Sequence, residues 1–175
     1  MTIDLAPEVT TPPPPTPAWD DNPLSIAWWS LKMRYWSWRT DTYRGPEPDI
    51  RLYAEYHNSG ENGVLDTSFG LQKSRISVIR QFTSRRMARK NLVIVAHELL
   101  HTLGASDKYD LGTLAVTWPE GYAEPGKSPL YPQKKAEIMG GRIPVSASEF
   151  VMPASLEQCI VGPETALEIG WTDNA

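Results

Sequence analysis

The stretch His97-Glu98-Leu99-Leu100-His101-Thr102-Leu103-Gly104-Ala105-Ser106-Asp107 constrains this chain more than any other feature. Residues four apart on an α-helix stand one above the other, so a helix through this stretch projects both imidazoles from one face. Glu98 is rotated by about 100° around the axis, close enough to serve whatever the histidines hold. Leu92, Ala96, Leu99 and Leu103 form an apolar stripe expected to be buried, with Val93, His97, His101 and Gly104 along the adjacent line. The helix should stop at Gly104, because glycine adopts the left-handed conformation that turns a chain sharply.

Two imidazoles at this spacing can bind one zinc ion, and a carboxylate beside them can act as general base on its water. The turn at Gly104 returns Asp107 towards the histidines, giving three protein ligands and one open position, the arrangement of catalytic rather than structural zinc. Asp110 is a rival for third ligand, as are Glu120, Glu124 and Glu137 further on. His57, the one remaining histidine, sits at the end of an expected strand.

At 175 residues and 41% hydrophobic, the chain is long enough for one domain with a substantial core. Residues 1–22 hold a proline cluster, from Pro7 to Pro17, with little to bury, and are expected to be a disordered leader or tether. Residues 23–175 are expected to form a single catalytic domain. Within it, Leu24, Trp28, Leu31, Tyr35 and Trp38 recur at helical spacing and should pack inward. Asp49 to His57 alternates as a half-buried strand, with Ile50, Leu52, Ala54 and Tyr56 on one side. Asn58 to Gly63 has turn chemistry, and Gly70 to Phe82 reads as a second strand. The basic run from Ser84 to Lys90 reads as a solvated face, with the helix proper starting near Asn91 as N-cap. Gly162 to Gly170 has proline at a helix start and glycine past its end, which predicts a short closing helix.

The spacing of the histidines, glycine and aspartate resembles that of the metzincin zinc proteases, and the aspartate is most similar to the snapalysin-like group. Tyr109 after Asp107, and Glu137-Ile138-Met139-Gly140-Gly141 later, are similar to that group's aspartate-x-tyrosine and glutamate-aliphatic-methionine-x-glycine segments. The resemblance spans Leu92 to Gly141. It implies an α/β (α+β) metzincin-like zincin domain with a small twisted sheet, an active-site helix and an irregular C-terminal part. It further implies Zn2+ on His97, His101 and Asp107, Glu98 as catalytic base, and Met139 as the methionine of a Met-turn beneath the ligands. Tyr109 is either a helper that orients a ligand or the oxyanion, or a packing residue. By the same analogy, Arg142 to Ser146 would line a substrate pocket, the alternative being a plain connection.

The activity these expectations describe is zinc-dependent endopeptidase hydrolysis of a peptide or protein substrate; the alternative is a non-catalytic zinc-binding interaction module. A net charge of −4 offers no general attraction to nucleic acid. A single cysteine, Cys159, excludes an internal disulfide framework. No membrane contact is expected of this chain by itself, and a monomer is expected. Localisation leans to an exported or tethered protein, whose leader would follow a segment not present here.

Overall fold

The computed structural model describes residues 3–17, 23–57 and 68–172, which belong to two compact units, Met1–Ile50 and Arg51–Ala175. Across the described residues the fold is mixed α and β, with three helices and small sheets, compatible with the α+β class.

The first unit is built on helix α1 (Pro23–Thr40), whose buried residues are Met33, Trp36 and Ser37. The stripe expected to be buried is the exposed one: Leu24, Trp28, Leu31, Tyr35 and Trp38 all face solvent. The reason lies in the proline-rich segment, which is no free tether over residues 3–17. Its carbonyls, lacking strand or helix partners, accept from tryptophan side chains of α1. Trp36 Nε1 donates to Thr11 O at 3.2 Å and Trp29 Nε1 to Pro14 O at 3.5 Å. A buried indole N–H needs such a partner, and this need selects which face of α1 is covered. No helix among the described residues is long and apolar enough to cross a membrane.

The second unit begins with a three-stranded sheet in the order β1-β3-β2, formed by β1 (Arg51–His57), β2 (Phe69–Leu71) and β3 (Ile76–Phe82). β1 runs parallel to β3, with Arg51 opposite Ile76 and His57 opposite Phe82, while β2 is antiparallel to it. β3 is central and buried on both faces, as a strand between two neighbours should be. Glu55 lies opposite Arg80, and their 2.8 Å ion pair satisfies a guanidinium that this central position buries.

Two strand expectations change here. β1 alternates as foreseen, but Leu52 and Tyr56 are exposed and the Arg51, Tyr53, Glu55 side is the more covered one. The single strand expected from Gly70 to Phe82 is a hairpin: a 3-10 turn at Gln72–Ser74 and Arg75 in the left-handed conformation (φ 50°) reverse the chain. The turn expected at residues 58–63 lies outside the described residues.

Helix α2 (Ala88–Leu103) follows β3 and packs against β3 and β2. It starts one turn earlier than expected. Asn91 is inside it, donating from Nδ2 to Phe82 O at 3.0 Å, and so ties helix to strand rather than capping. Arg85, Arg86 and Arg89 are exposed, as a solvated basic run should be. The buried stripe also differs: Leu92 and Leu103 are exposed, while Val93 and Leu100 enter a core cluster with Ala105, Ile138 and Met139.

The remaining chain is largely irregular. Two short pairs, β4 (Ala136–Glu137) with β7 (Cys159–Ile160) and β5 (Ile143–Pro144) with β6 (Phe150–Val151), precede helix α3 (Pro163–Glu168). Proline at its start and Gly170 (φ 72°) past its end stop α3 as the sequence suggests. The Arg142 to Ser146 segment is one arm of the β5–β6 hairpin, closed by Val145 N donating to Glu149 O at 2.8 Å.

Candidate metal centre

α2 presents His97 and His101 one turn apart, with Nε2 atoms 3.1 Å from each other. Each ring is held by its other nitrogen. His97 Nδ1 is 2.9 Å from Ile138 O and His101 Nδ1 is 2.8 Å from Ala105 O. A carbonyl oxygen only accepts, so both Nδ1 atoms carry hydrogen, and the two Nε2 atoms point into the same space.

Gly104 ends the helix at φ 112°, its N–H donating to His101 O at 3.1 Å, and the chain turns back as its sequence implies. That turn brings Asp107 Oδ1 to 3.2 Å from His97 Nε2 and 3.3 Å from His101 Nε2. Three electron-pair donors within bonding reach of one centre repel one another unless positive charge lies among them. His97, His101 and Asp107 form a group that could hold a metal ion. The same demand for a cation appears in the proton equilibria. Burial pulls the His101 pKa down, but the Asp107 carboxylate outweighs it and the net shift is upward. Burial would raise the Asp107 pKa, yet the two imidazoles hold it well below the usual carboxylate range.

Glu98 is 6% exposed, and its Oε2 has no hydrogen-bond partner. Burial holds its carboxyl above the ordinary range, against the lowering pull of His97 and His101. A buried carboxylate oxygen left without a donor is costly, and such an atom beside a ligand set is one that a reacting proton can use.

The rival ligands stand outside this group. Asp110 Oδ1 accepts from Gly112 N, Thr113 N and Thr113 Oγ1 at 2.7–3.0 Å, a closed turn on the surface. Glu120 and Glu124 are exposed, and Glu124 frames the long loop through Gln133. Glu137 is fully buried and accepts four bonds: from Met139 N (2.7 Å), Gly140 N (2.9 Å), Gly162 N (3.0 Å) and Thr165 Oγ1 (2.8 Å). None of these residues, nor His57, joins the group of potential ligands among the described residues.

No protein-family model, curated protein or solved structure matches the chain.

Tyr109 stands beside the centre, its ring centroid 6.3 Å from that of His97. Burial, then the Asp107 carboxylate, push its phenol far above the usual range, so it is a hydrogen-bond donor at any working pH. Met139 is fully buried under α2 with Val93 and Leu100. Its carbonyl accepts from Lys108 N at 3.0 Å, which couples the turn at 137–141 to the segment carrying Asp107. Glycines allow that approach: a Cβ on Gly140 would stand 2.5 Å from Gly121 O, and one on Gly121 would stand 2.4 Å from Lys108 O.

Sequence reasoning found the ligand candidates and missed what holds them. The carbonyls of Ile138 and Ala105 that orient the imidazoles carry no sequence signature, because every residue has one. Glu137 was legible as a rival ligand and as a family-like position but not as the anchor of its turn, and Ser106, Lys108 and Glu168 gave no signal as supports.

Proposed function

We propose that this chain is a zinc-dependent endopeptidase of metzincin type, nearest in motif to the snapalysin-like group, acting on peptide or protein substrates. The observation that carries the reading is the pairing of a three-donor centre with a buried, unpartnered carboxylate oxygen on Glu98.

The residues fit zinc. Donor separations of 3.1, 3.2 and 3.3 Å are those of one face of a tetrahedron. The centre of a tetrahedron with such edges lies about 2.0 Å from each donor, the length of Zn–N and Zn–O bonds. Nitrogen and oxygen donors with neutral imidazoles suit the same ion. Among the described residues no fourth protein ligand converges there, which favours an open catalytic site over a closed structural one and so favours hydrolysis over a binding module.

When bound, Zn2+ supplies Lewis acidity towards the peptide carbonyl and acidifies a water molecule towards a pKa of about 7. The chain's own residues do the rest. Ile138 O and Ala105 O keep both imidazoles in the ligating tautomer. Glu98 Oε2 takes the proton of the attacking water as its oxygen bonds to the carbonyl carbon, then delivers that proton to the amide nitrogen as the C–N bond breaks. Its raised pKa favours the protonated form through which the transfer passes. Tyr109, protonated and beside the centre, is available to donate to the developing oxyanion.

The test pairs metal analysis with cleavage of a mixed peptide library read by mass spectrometry. Wild type should carry one zinc per chain and cleave, Glu98→Gln should keep the metal and lose activity by at least about 10²–10⁴-fold, and His101→Ala should lose both. Turnover by a clean Glu98→Gln preparation would sink the mechanism. Zinc without cleavage in wild type would favour the binding-module reading.

A further inference from the structure

Two of the three proposed ligands sit on a helix; the third, Asp107, sits on a loop, and a loop carboxylate holds its place only if something fixes the backbone on both sides. One carboxylate touches both sides. Glu168, the last residue of α3, accepts from Ser106 N at 3.0 Å through Oε2 and from Ser106 Oγ at 2.6 Å through Oε1. The same Oε1 pairs with Lys108 Nζ at 2.5 Å, and Lys108 Nζ also donates to Ser106 Oγ at 2.7 Å. Asp107 is therefore bracketed by two residues that share one anion.

The bracket is built into the fold. The Lys108 side chain is only 7% exposed, and an ammonium is buried so deeply only where a carboxylate receives it. The Lys108 backbone is held as well: its N–H donates to Met139 O and its carbonyl accepts from Thr117 N at 2.8 Å. The same face of α3 carries Thr165, whose hydroxyl donates to Glu137, the residue that fixes the turn whose Ile138 carbonyl orients His97. The short closing helix thus reaches the centre by two routes, and the Glu168 route is the one that contacts both residues flanking Asp107.

We propose that Glu168 is a positioning residue for the metal centre, clasping Ser106 and Lys108 so that the Asp107 carboxylate stands within bonding distance of the ion held by His97 and His101. This rests on the metal-centre reading above. Partners of metal ligands set affinity without touching the metal, and their loss typically weakens binding about 10–100-fold.

The test compares wild type with Glu168→Ala, Ser106→Ala, Asp107→Ala and Ile169→Ala. Ile169 packs on the core next to Glu168 and loosens α3 without touching the clasp. Zinc affinity is read by chelator competition, ligand geometry by the visible bands of the cobalt-loaded protein, and folding by unfolding of the metal-free protein. Glu168→Ala should weaken zinc binding about 10–100-fold and move the cobalt spectrum towards that of Asp107→Ala. Ser106→Ala should shift both in the same direction by less, and keeps the test alive should Glu168→Ala not fold. Ile169→Ala should lower stability and leave affinity and spectrum as in wild type.

The proposal is overturned if Ser106→Ala and any folded Glu168→Ala bind zinc as wild type does with an unchanged cobalt spectrum. An equal loss of affinity in Ile169→Ala also overturns it, since α3 would then act only as packing. A wild type that binds neither zinc nor cobalt overturns the metal-centre reading itself, an outcome distinct from both.

Discussion

Replacing Glu137 by glutamine removes a single charge and keeps the shape, yet should be among the most damaging conservative changes in the protein. All four neighbours of the carboxylate are donors: Met139 N and Gly140 N on Oε2, Gly162 N and Thr165 Oγ1 on Oε1. Only a carboxylate can accept from all of them. A carboxamide placed to suit Met139 and Gly140 turns its NH2 towards Gly162 N and Thr165. The threonine hydroxyl can rotate to accept, but the Gly162 N–H cannot and is left buried without a partner, at a cost of about 1–3 kcal/mol. The two bonds that survive fall from charged to neutral, losing about 1 kcal/mol each. Glu137→Gln should therefore cost about 3–5 kcal/mol of a total stability of about 5–15 kcal/mol. Urea unfolding of the metal-free protein, followed by circular dichroism, measures it. A loss below about 1 kcal/mol would refute the four-acceptor account of this turn.

Gly121→Ala should cost about 2–3 kcal/mol, because its Cβ would meet two backbone carbonyls, Lys108 O at 2.4 Å and Thr117 O at 2.8 Å. Gly126→Ala, with nothing within 4 Å, is the neutral control, and equal melting temperatures for the two would contradict the packing described. Cys159 should be slow to alkylate: burial, with the Glu137 carboxylate, pushes its thiol up to about 11. At pH 8 its thiolate fraction, and hence its rate with iodoacetamide, should lie about a hundredfold below that of the urea-unfolded chain; rates within tenfold would count against it. For Glu168, burial raises the pKa, but Lys108 and Ser106 more than offset it and the net shift is downward. A lowered folded-state pKa adds stability above the unfolded value of about 4.3 that is lost as pH falls through the folded value. The stability gap between wild type and Glu168→Gln should be flat near neutral pH and narrow below about pH 4; a gap that widens in acid would reverse the sign argued here.

Local chemistry was the readable part of this chain. Gly104 stops α2 in the left-handed conformation because a side chain there is strained, and that holds in any context. Proline at the start of α3 and glycine past its end bound that helix for equally local reasons. The readings that changed depend on neighbours. The apolar stripe of α1 predicts its buried face, but the carbonyls of residues 3–17 recruit the Trp29 and Trp36 indoles and cover another face. Asn91 has the chemistry of a cap, yet the end of β3 lies within its reach and takes its amide instead.

The same division runs through the centre. Helical periodicity and the glycine turn are enough to align His97 with His101 and to send Asp107 back towards them, since both act within a few residues. Local spacing by itself does not choose among Asp107, Asp110, Glu120, Glu124 and Glu137 as the carboxylate that completes the group. The tertiary structure brings Asp107 to the two histidines, while it closes Asp110 into its own turn and buries Glu137 among four donors. It also supplied the supports, with Ile138 O reaching His97 across 41 residues and Glu168 reaching Ser106 across 62. Side-chain spacing records what one helix can align. Backbone carbonyls and distant carboxylates come to a site through packing, and no local pattern of residues encodes their arrival.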